Sequence, residues 1–425
     1  MYSKGVKSQR NTERKHVFIE SIVKETLGIK KHRVKRIKKI EGKIIIELDC
    51  RKAWRLPCGH CETLGRVRDR LKTREWKHVP LWGIPVCIQY RPARVKCPRC
   101  GKVRVEAMPW SQGKCRLSVG FIWLIAAWAK LLPWDVIADK FAVHWNTVAS
   151  AVRQAVAYGV EHRDLGEVLY IGVDELSRKK GHVYVTNVYD LKGKRLIWSG
   201  EGRSKETLEK FFAEHGNALK DKVIGVCCDM WQPYIDMLQE QFPDAYLVFD
   251  KFHIVQHLQR AVDEVRKEEA RDLKRTNPEL LSKTRYLWLK NPENLTDRQR
   301  VRLGHLQKLN LRTNRAYILK ESFREFWEYP TRGQAKSYLT IWFWWATHSR
   351  LKPLRDFAWM LRRHEEDLLN YFELRIDNGA VEGMNNKAKV VSHRSYGFRT
   401  AKTYITALYH CLGDLPEPKL VHKFL

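Results

Sequence analysis

Leu169-Tyr170-Ile171-Gly172-Val173-Asp174-Glu175 is a short apolar run that ends on two carboxylates. A run of this length reads as a strand buried on both faces. The pattern recurs twice downstream. Val223–Cys228 ends in Asp229, and Ala245–Phe249 ends in Asp250. Between the first and second runs, His182–Tyr189 alternates as a half-buried strand. Arg195–Ser199 follows it after the turn Asp190-Leu191-Lys192-Gly193. Helical periodicity covers Ser204–His215, and another helix fits between the second and third runs. Strands joined through helices, with acids at the strand ends, predict a mixed α/β sheet. Ligand sites in such sheets lie beyond the carboxyl ends of the strands.

Asp174 and Asp229 therefore fall at equivalent ends of two apolar strands. Moving a phosphodiester requires activating a hydroxyl and stabilising a leaving oxygen. Two divalent ions roughly 4 Å apart do both, and three or four carboxylates must converge to hold them. A third carboxylate is expected from a helix that packs back on the sheet. Asp377-Asn378-Gly379-Ala380-Val381-Glu382-Gly383-Met384-Asn385-Asn386-Lys387-Ala388-Lys389 supplies one. Asp377 or Asn378 can cap this helix, and Glu382, Asn385 and Lys389 then share a face. A carboxylate, an amide and a lysine in that order suit metal, sugar and phosphate. His393, Arg394, Arg399 and Lys402 extend the basic track. The bland alternative is that these acids are caps or surface charges, and spacing alone leaves both readings open.

Residues 254–370 are helical in pattern and rich in Leu, Arg, Lys, Glu and Trp. Within them, Trp342-Phe343-Trp344-Trp345 offers aromatics that could stack on an unpaired base at a DNA end. Helical spacing favours at least two of the four as core.

Upstream, Cys58-Gly59-His60-Cys61 and Cys97-Pro98-Arg99-Cys100 stand 35 residues apart. Each pair can turn around one tetrahedral ion, and two such knuckles complete a zinc shell. Gly59 and Gly101 relieve the backbone there, and His60 remains an alternative to one cysteine. Short strands at Val86, Ile88, Tyr90 and at Ala93, Val95 fit a zinc ribbon, as does the β-like Lys43–Leu48. Next, Leu117–Leu132 reads as an apolar helix. Trp134–Tyr158 has the spacing of a helix-turn-helix, with a first helix over Asp135–Phe141. Its second helix would be capped by Asn146 or Thr147. Ala142 stands where many such motifs use glycine, and a plain helical hairpin is the competing reading.

The chain has 425 residues, 44% of them hydrophobic, enough for more than one core. It carries 79 Lys+Arg against 48 Asp+Glu, a formal net charge of +31. An excess this large calls for a polyanion, and nucleic acid is the default partner. Residues 1–40, with 13 Lys+Arg against three acids, read as a basic arm on DNA phosphates. The longest apolar run, Val119–Ala129, is too short to span a bilayer, so no membrane partner is expected. The polar N-terminus carries no signal pattern, which leads us to expect a cytoplasmic, nucleoid-associated protein. Ten cysteines in a basic chain of this length suggest a metal site and ordinary thiols, not a disulfide framework.

Taken together, the order of these motifs resembles bacterial insertion-sequence transposases of the ISL-three family. The stretches that carry the resemblance are Cys58–Cys61, Arg91–Cys100, Val173-Asp174-Glu175, Cys228-Asp229-Met230, Phe249-Asp250-Lys251-Phe252-His253, Val381–Lys389 and Tyr396-Gly397-Phe398-Arg399. The resemblance runs from about residue 50 to 412. It implies an RNase H-like α/β core with an Asp-Asp-Glu triad, interrupted by a long helical insertion. Asp174, Asp229 and Glu382 map to the triad and would hold two Mg²⁺ (or Mn²⁺) ions; Asp250 and His253 match the family motif after the third strand, where they would support the site or contact DNA. The domain map expected is a basic arm (1–42), a zinc ribbon with one structural Zn²⁺ (43–112), and a helix-turn-helix (113–162). The first part of the core (163–258), a helical insertion (259–370) and the last part of the core (371–425) follow. Asn146, Thr147, Asn385, Lys389, Arg394 and Arg399 are the expected DNA contacts. The activity implied is cleavage at terminal inverted repeats and transfer of the 3′-OH to target DNA, by at least a homodimer on DNA. A non-catalytic DNA-binding regulator and an RNase H-like nuclease are the rival readings.

Overall fold

The computed structural model describes residues 18–50, 55–113, 115–179, 183–376 and 379–419. Two compact units are present, residues 1–163 with 415–425 and residues 164–414.

The first unit begins with helix α1 (Ile19–Thr26) and strands β1 (His32–Ile40), β2 (Lys43–Cys50), β3 (Arg55–Pro57) and β4 (Leu64–Arg70). Strands β5 (Arg74–Leu81), β6 (Ile84–Tyr90), β7 (Ala93–Lys96) and β8 (Val103–Val105) follow. Two four-stranded sheets result, ordered β1-β2-β6-β5 and β3-β4-β7-β8. Residues 18–40, expected as part of a basic arm, are thus a helix and a strand. The reason is visible in β1, where His32 is buried and most of the cations point outward. The remainder of the arm, residues 1–17, lies outside the described residues. A second departure concerns Val86, Ile88 and Tyr90, which belong to the other sheet and not to the strands around the cysteines. They pair in parallel with β2 and antiparallel with β5, and bury against Ile46, Leu48 and Trp76.

Helices α2 (Val119–Ala129), α3 (Trp134–Lys140) and α4 (Trp145–His162) complete this unit. Ser118 caps α2 by accepting from Phe121 N–H. Ala142, in the turn between α3 and α4, adopts a φ of 48°. The tight turn expected there is made without glycine. The cap of α4 is His144, whose Nδ1 accepts from Asn146 N–H at 3.2 Å, and not Asn146 or Thr147. Those two residues already lie in the first turn, one step too late to cap.

The second unit opens with β9 (Tyr170–Lys179), β10 (Val183–Asp190) and β11 (Arg195–Glu201). Helix α5 (Lys205–Leu219), β12 (Gly225–Cys228), α6 (Gln232–Gln241) and β13 (Tyr246–Phe249) follow. The five strands form one mixed sheet in the order β11-β10-β9-β12-β13. The first three strands are antiparallel, whereas β12 lies parallel to β9 and β13 parallel to β12. Parallel pairing requires crossovers, and α5 and α6 supply them. Their inward faces, Leu208, Phe211 and Phe212 on α5 and Tyr234, Ile235 and Leu238 on α6, are buried in the core of the unit.

From the end of β13 the chain is helical: α7 (Lys251–Asp272), α8 (Arg285–Leu289), α9 (Asp297–Gln307), α10 (Arg312–Glu325), α11 (Arg332–His348), α12 (Lys352–Arg362), α13 (Glu365–Leu369) and α14 (Tyr371–Leu374). Trp288, Phe323, Phe326 and Trp342 are buried among them. Helices α15 (Gly379–Arg394) and α16 (Ala401–Leu412) then return to the sheet. Asp377 and Asn378, expected as caps of α15, lie outside the described residues.

Candidate functional site

The carboxylates take their places from the sheet. In the β9–β12 register, Gly225, Val226 and Cys227 pair with Tyr170, Ile171 and Gly172. Two residues further along both strands the register reaches Asp229 and Asp174. Strand β12 stops there, but β9 continues to Lys179, because its far half still pairs with β10. Asp174 is therefore in mid-strand on one side and at an open end on the other.

Helix α15 packs on this part of the sheet, burying Val381, Met384, Asn385, Ala388 and Val391. Gly172 makes the approach possible. A Cβ there would stand 2.5 Å from Val381 Cγ2 and 2.6 Å from Leu191 Cδ2. Close packing brings Asn385 onto Asp174. The Asn385 amide nitrogen donates to Asp174 Oδ2, and its oxygen accepts from the Tyr189 hydroxyl at 2.8 Å. Asp174 Oδ1 accepts from the Glu175 N–H at 2.7 Å. Asn385 was expected on DNA, yet it is 6% exposed and both ends of its amide are occupied by protein.

Asp250 follows β13 and caps α7, accepting from Phe252 N–H at 2.8 Å through Oδ1. Its other oxygen lies 3.2 Å from His253 Nδ1, one helical turn on. Asp229 Oδ1 accepts from Trp231 N–H at 3.2 Å, at the start of α6. Asp174, Glu175, Asp250, His253, Glu382, Asn385 and Lys389 line a cavity of about 640 Å³.

Burial pushes Asp174 up to about 6, against the pull of the Glu175 N–H and the His253 charge. Glu175 is pushed up to about 7, first by burial and then by the charge of Asp229. Burial also raises Asp229. His253 is raised, first by its hydrogen bond to Asp250, with burial opposing. Carboxylates so placed repel one another, and a cation between them would relieve the repulsion.

Glu175 is the acid that sequence reasoning passed over. Strand alternation puts it on the face opposite Asp174. The end of β12 leaves both acids open to one cavity, and Tyr234 hydrogen-bonds Glu175 from α6. Tyr189 was likewise read only as strand. Of the other expected DNA contacts, Asn146, Lys389 and Arg399 are exposed, and Thr147 and Arg394 are half-buried. Arg394 lies within reach of Cys411 Sγ.

In the first unit, Cys58 and Cys61 follow β3, and Cys97 and Cys100 follow β7. The four sulfurs lie within 4.8 Å of one another, with Cys61 Sγ 3.4 Å from Cys97 Sγ and 3.3 Å from Cys100 Sγ. Such a cluster is placed to hold one tetrahedral zinc ion. Gly59 admits the facing strand, since a Cβ there would meet Val105 O at 2.6 Å. Hydrogen bonding, first from Thr63, holds the Cys61 thiol down at about 6, which favours the thiolate a metal requires. His60 is exposed and is not one of the four ligands.

Sequence reading also missed a buried polar knot in which His32 Nε2 lies 3.2 Å from Glu106 Oε2, and Tyr90 donates to Glu106 Oε1 at 2.8 Å. Asp174, Asp229 and Glu382 do not converge as tightly as the thiols do. Among the described residues, the thiols and the group His32–Cys50–Glu106 are the sets whose ligand atoms all fall within 4.8 Å.

The chain thus carries a mixed α/β sheet with buried acids at its open end and, in its other unit, a four-cysteine cluster able to hold zinc. Residues 171–408 match the model of the ISL3, or ISL-three, family, described as transposase, and the chain belongs to that family. It is 28% identical over 345 residues to the transposase for insertion sequence element IS1001 of Bordetella parapertussis, covering 80% of this chain and 85% of that one. Over 406 residues it is 28% identical to the transposase for insertion sequence element IS1557 of Mycobacterium tuberculosis, covering 88% and 90%. No helix among the described residues is long and apolar enough to cross a membrane.

Proposed function

We propose that this chain binds the terminal inverted repeats of an insertion sequence, cleaves DNA there, and joins the freed 3′-OH to target DNA. The observation that carries the reading is that Asp229 and Asp174 each follow by two residues the last paired residues, Cys227 and Gly172, of adjacent parallel strands, with α15 laid over Asp174. The strand order β11-β10-β9-β12-β13, antiparallel and then parallel, supports an RNase H-like core. Helices α7 to α14 would be its insertion.

Asp174, Asp229 and Glu382 are the proposed catalytic ligands of two Mg²⁺ or Mn²⁺ ions. The residues fit such ions: they offer hard carboxylate oxygens, and burial has made ionisation of the two aspartates costly without a cation. Two ions roughly 4 Å apart also need ligands spread across a site, not gathered around one point. Bound ions would activate the attacking hydroxyl and neutralise the leaving oxygen.

Asn385 fixes which oxygen of Asp174 faces the cavity. The Asp250–His253 pair places a raised-pKa imidazole at the rim, where it can meet a phosphate oxygen. Lys389 adds a second cation on the Glu382 side, and Arg394 and Arg399 continue the basic track. The four-cysteine cluster with its zinc, and the α3–α4 pair as a helix-turn-helix carrying Asn146 and Thr147, would recognise the ends. Because two ends must be joined, a homodimer on DNA is part of the proposal.

The test is processing of DNA carrying the ends that flank the gene, in Mg²⁺ or Mn²⁺, by wild type, Asp229→Asn and Glu382→Gln. Cleaved and joined products from wild type alone are expected. Tight binding without cleavage by every version would leave only a DNA-binding regulator, and cleavage without joining would leave a nuclease.

A further inference from the structure

Two of the four aromatics in Trp342-Phe343-Trp344-Trp345 are core. Trp342 is 1% exposed and donates through Nε1 to Leu319 O at 3.0 Å, and Phe343 is buried beside it. Trp344 is 64% exposed, on the outward face of α11. Trp359 of α12 is 47% exposed, and the two helices pack together. Trp344 and Trp359 are lining residues of one cavity of about 380 Å³, shared with His348, Arg355, Arg362 and Glu365. That volume lies in the range of sites for small planar ligands.

Its chemistry is specific. Trp344 stacks on His348 with ring centroids 4.8 Å apart and planes 25° from parallel. The Arg362 guanidinium lies over the Trp359 ring, 5.4 Å from its centroid. Among the described residues, neither Arg355 nor Arg362 forms an ion pair, and Glu365 is the lone acid in the lining. Two large exposed aromatics sharing one cavity with guanidinium groups at their edge mark an interaction site. A lipid or apolar peptide would match the rings and leave the arginines unmatched. A nucleobase on its phosphodiester matches both, because π-faces stack on tryptophan and the phosphate meets arginine.

We propose that the Trp344–Trp359 cavity binds an unpaired nucleobase of the DNA substrate, separately from the carboxylate site. The inference rests on the proposed function only in taking DNA as the partner. A base paired within a duplex is stacked on both faces and cannot enter the cavity, so the cavity discriminates unpaired from paired bases.

Binding is measured with the full chain carrying Asp229→Asn, with no divalent ion added and no chelator, so that no cleavage intervenes and the zinc of the four-cysteine cluster is kept. The probes are a blunt duplex and the same duplex with a four-nucleotide single-stranded flap. Trp344→Ala and Trp359→Ala are surface changes, and circular dichroism checks that both variants fold. Each should weaken flap binding about tenfold or more while leaving the blunt duplex unchanged. A 5-iodouracil in the flap should photocrosslink to the peptide holding Trp344 or Trp359.

Equal loss on both probes, or no loss on either, overturns the inference, as does a crosslink elsewhere. A change in oligomeric state with unchanged flap binding would assign the patch to a second copy and overturn it too. Cleavage of the ends by the wild type is scored separately. The catalytic reading can therefore fail while this one stands, and the reverse.

Discussion

Asn385 is hydrogen-bonded to Asp174 on one side and to Tyr189 on the other, so a residue of α15 orients an acid of β9. The three side chains come from β9, β10 and α15, and 211 positions separate Asn385 from Asp174. An amide suits the place because it donates to the carboxylate while accepting from the phenol.

Asn385→Ala should therefore slow single-turnover cleavage by about 100-fold, since a ligand free to rotate is misplaced on the scale that matters for catalysis. Tyr189→Phe should cost less, about tenfold, because it removes one neutral hydrogen bond and leaves Asn385 in place. Affinity for the same DNA, measured without added Mg²⁺ or Mn²⁺, should stay unchanged in both. If Asn385→Ala cleaves at the wild-type rate, Asn385 does not position Asp174.

Gly172 is the point at which α15 meets the sheet. Gly172→Ala sets a methyl against Val381, which is fully buried and stiff about χ1. A loss of about 1–3 kcal/mol in urea unfolding is expected. Val381→Ala in the same chain should recover part of it, because the two sites share one contact. Additive losses in the double variant would show that the clash is relieved elsewhere.

Much of this site was legible because its signals are local. Apolar runs ending in acids identified β9, β12 and β13, and helical spacing put Glu382, Asn385 and Lys389 on one face. What the sequence hid depends on pairing between distant segments. Nothing near Asn385 says that its amide will be taken by Asp174 and not by DNA. Glu175 was left without a role, because alternation along β9 turns it away from Asp174, and the early end of β12 is what opens it to the same cavity. Similarly, Val86, Ile88 and Tyr90 had the pattern of a ribbon strand, but their partners on β2 lie some forty residues upstream. Strand β1 was masked by its cations, which occupy the outward positions of a strand whose inward side still packs.

The four-thiol cluster predicts one zinc per chain by elemental analysis, lost in Cys58→Ser or Cys97→Ser and kept in His60→Ala. Because β3, β7 and β8 have only three, four and three residues, the ion should contribute much of this sheet's stability. Chelation should broaden thermal unfolding of the first unit and leave the second unit's transition in place. Loss of zinc from His60→Ala would make His60 a ligand and displace one of the cysteines.

Asp263 predicts how stability responds to acid. Its side chain is 4% exposed on α7, with Arg266 at 2.8 Å, Lys267 at 3.2 Å and Arg285 of α8 at 3.2 Å. Burial pushes the carboxyl up, but Arg266 and Lys267 outweigh it and hold Asp263 below its usual range. An acid whose pKa is depressed by folding stabilises the fold above its unfolded value, about 3.9, and loses that contribution as pH falls through the folded value. The α7–α8 pairing should therefore hold near pH 7 and weaken below about pH 4. Asp263→Asn removes the charge at every pH; Arg266 loses its partner while 13% exposed, whereas Lys267 and Arg285 remain more than half exposed to water. The expected cost is about 1 kcal/mol at pH 7, shrinking towards zero as wild type is acidified. Urea unfolding at pH 7, 5 and 3.5 measures both chains. A difference between them that stays constant across that range would show that Asp263 acts by shape and not by charge.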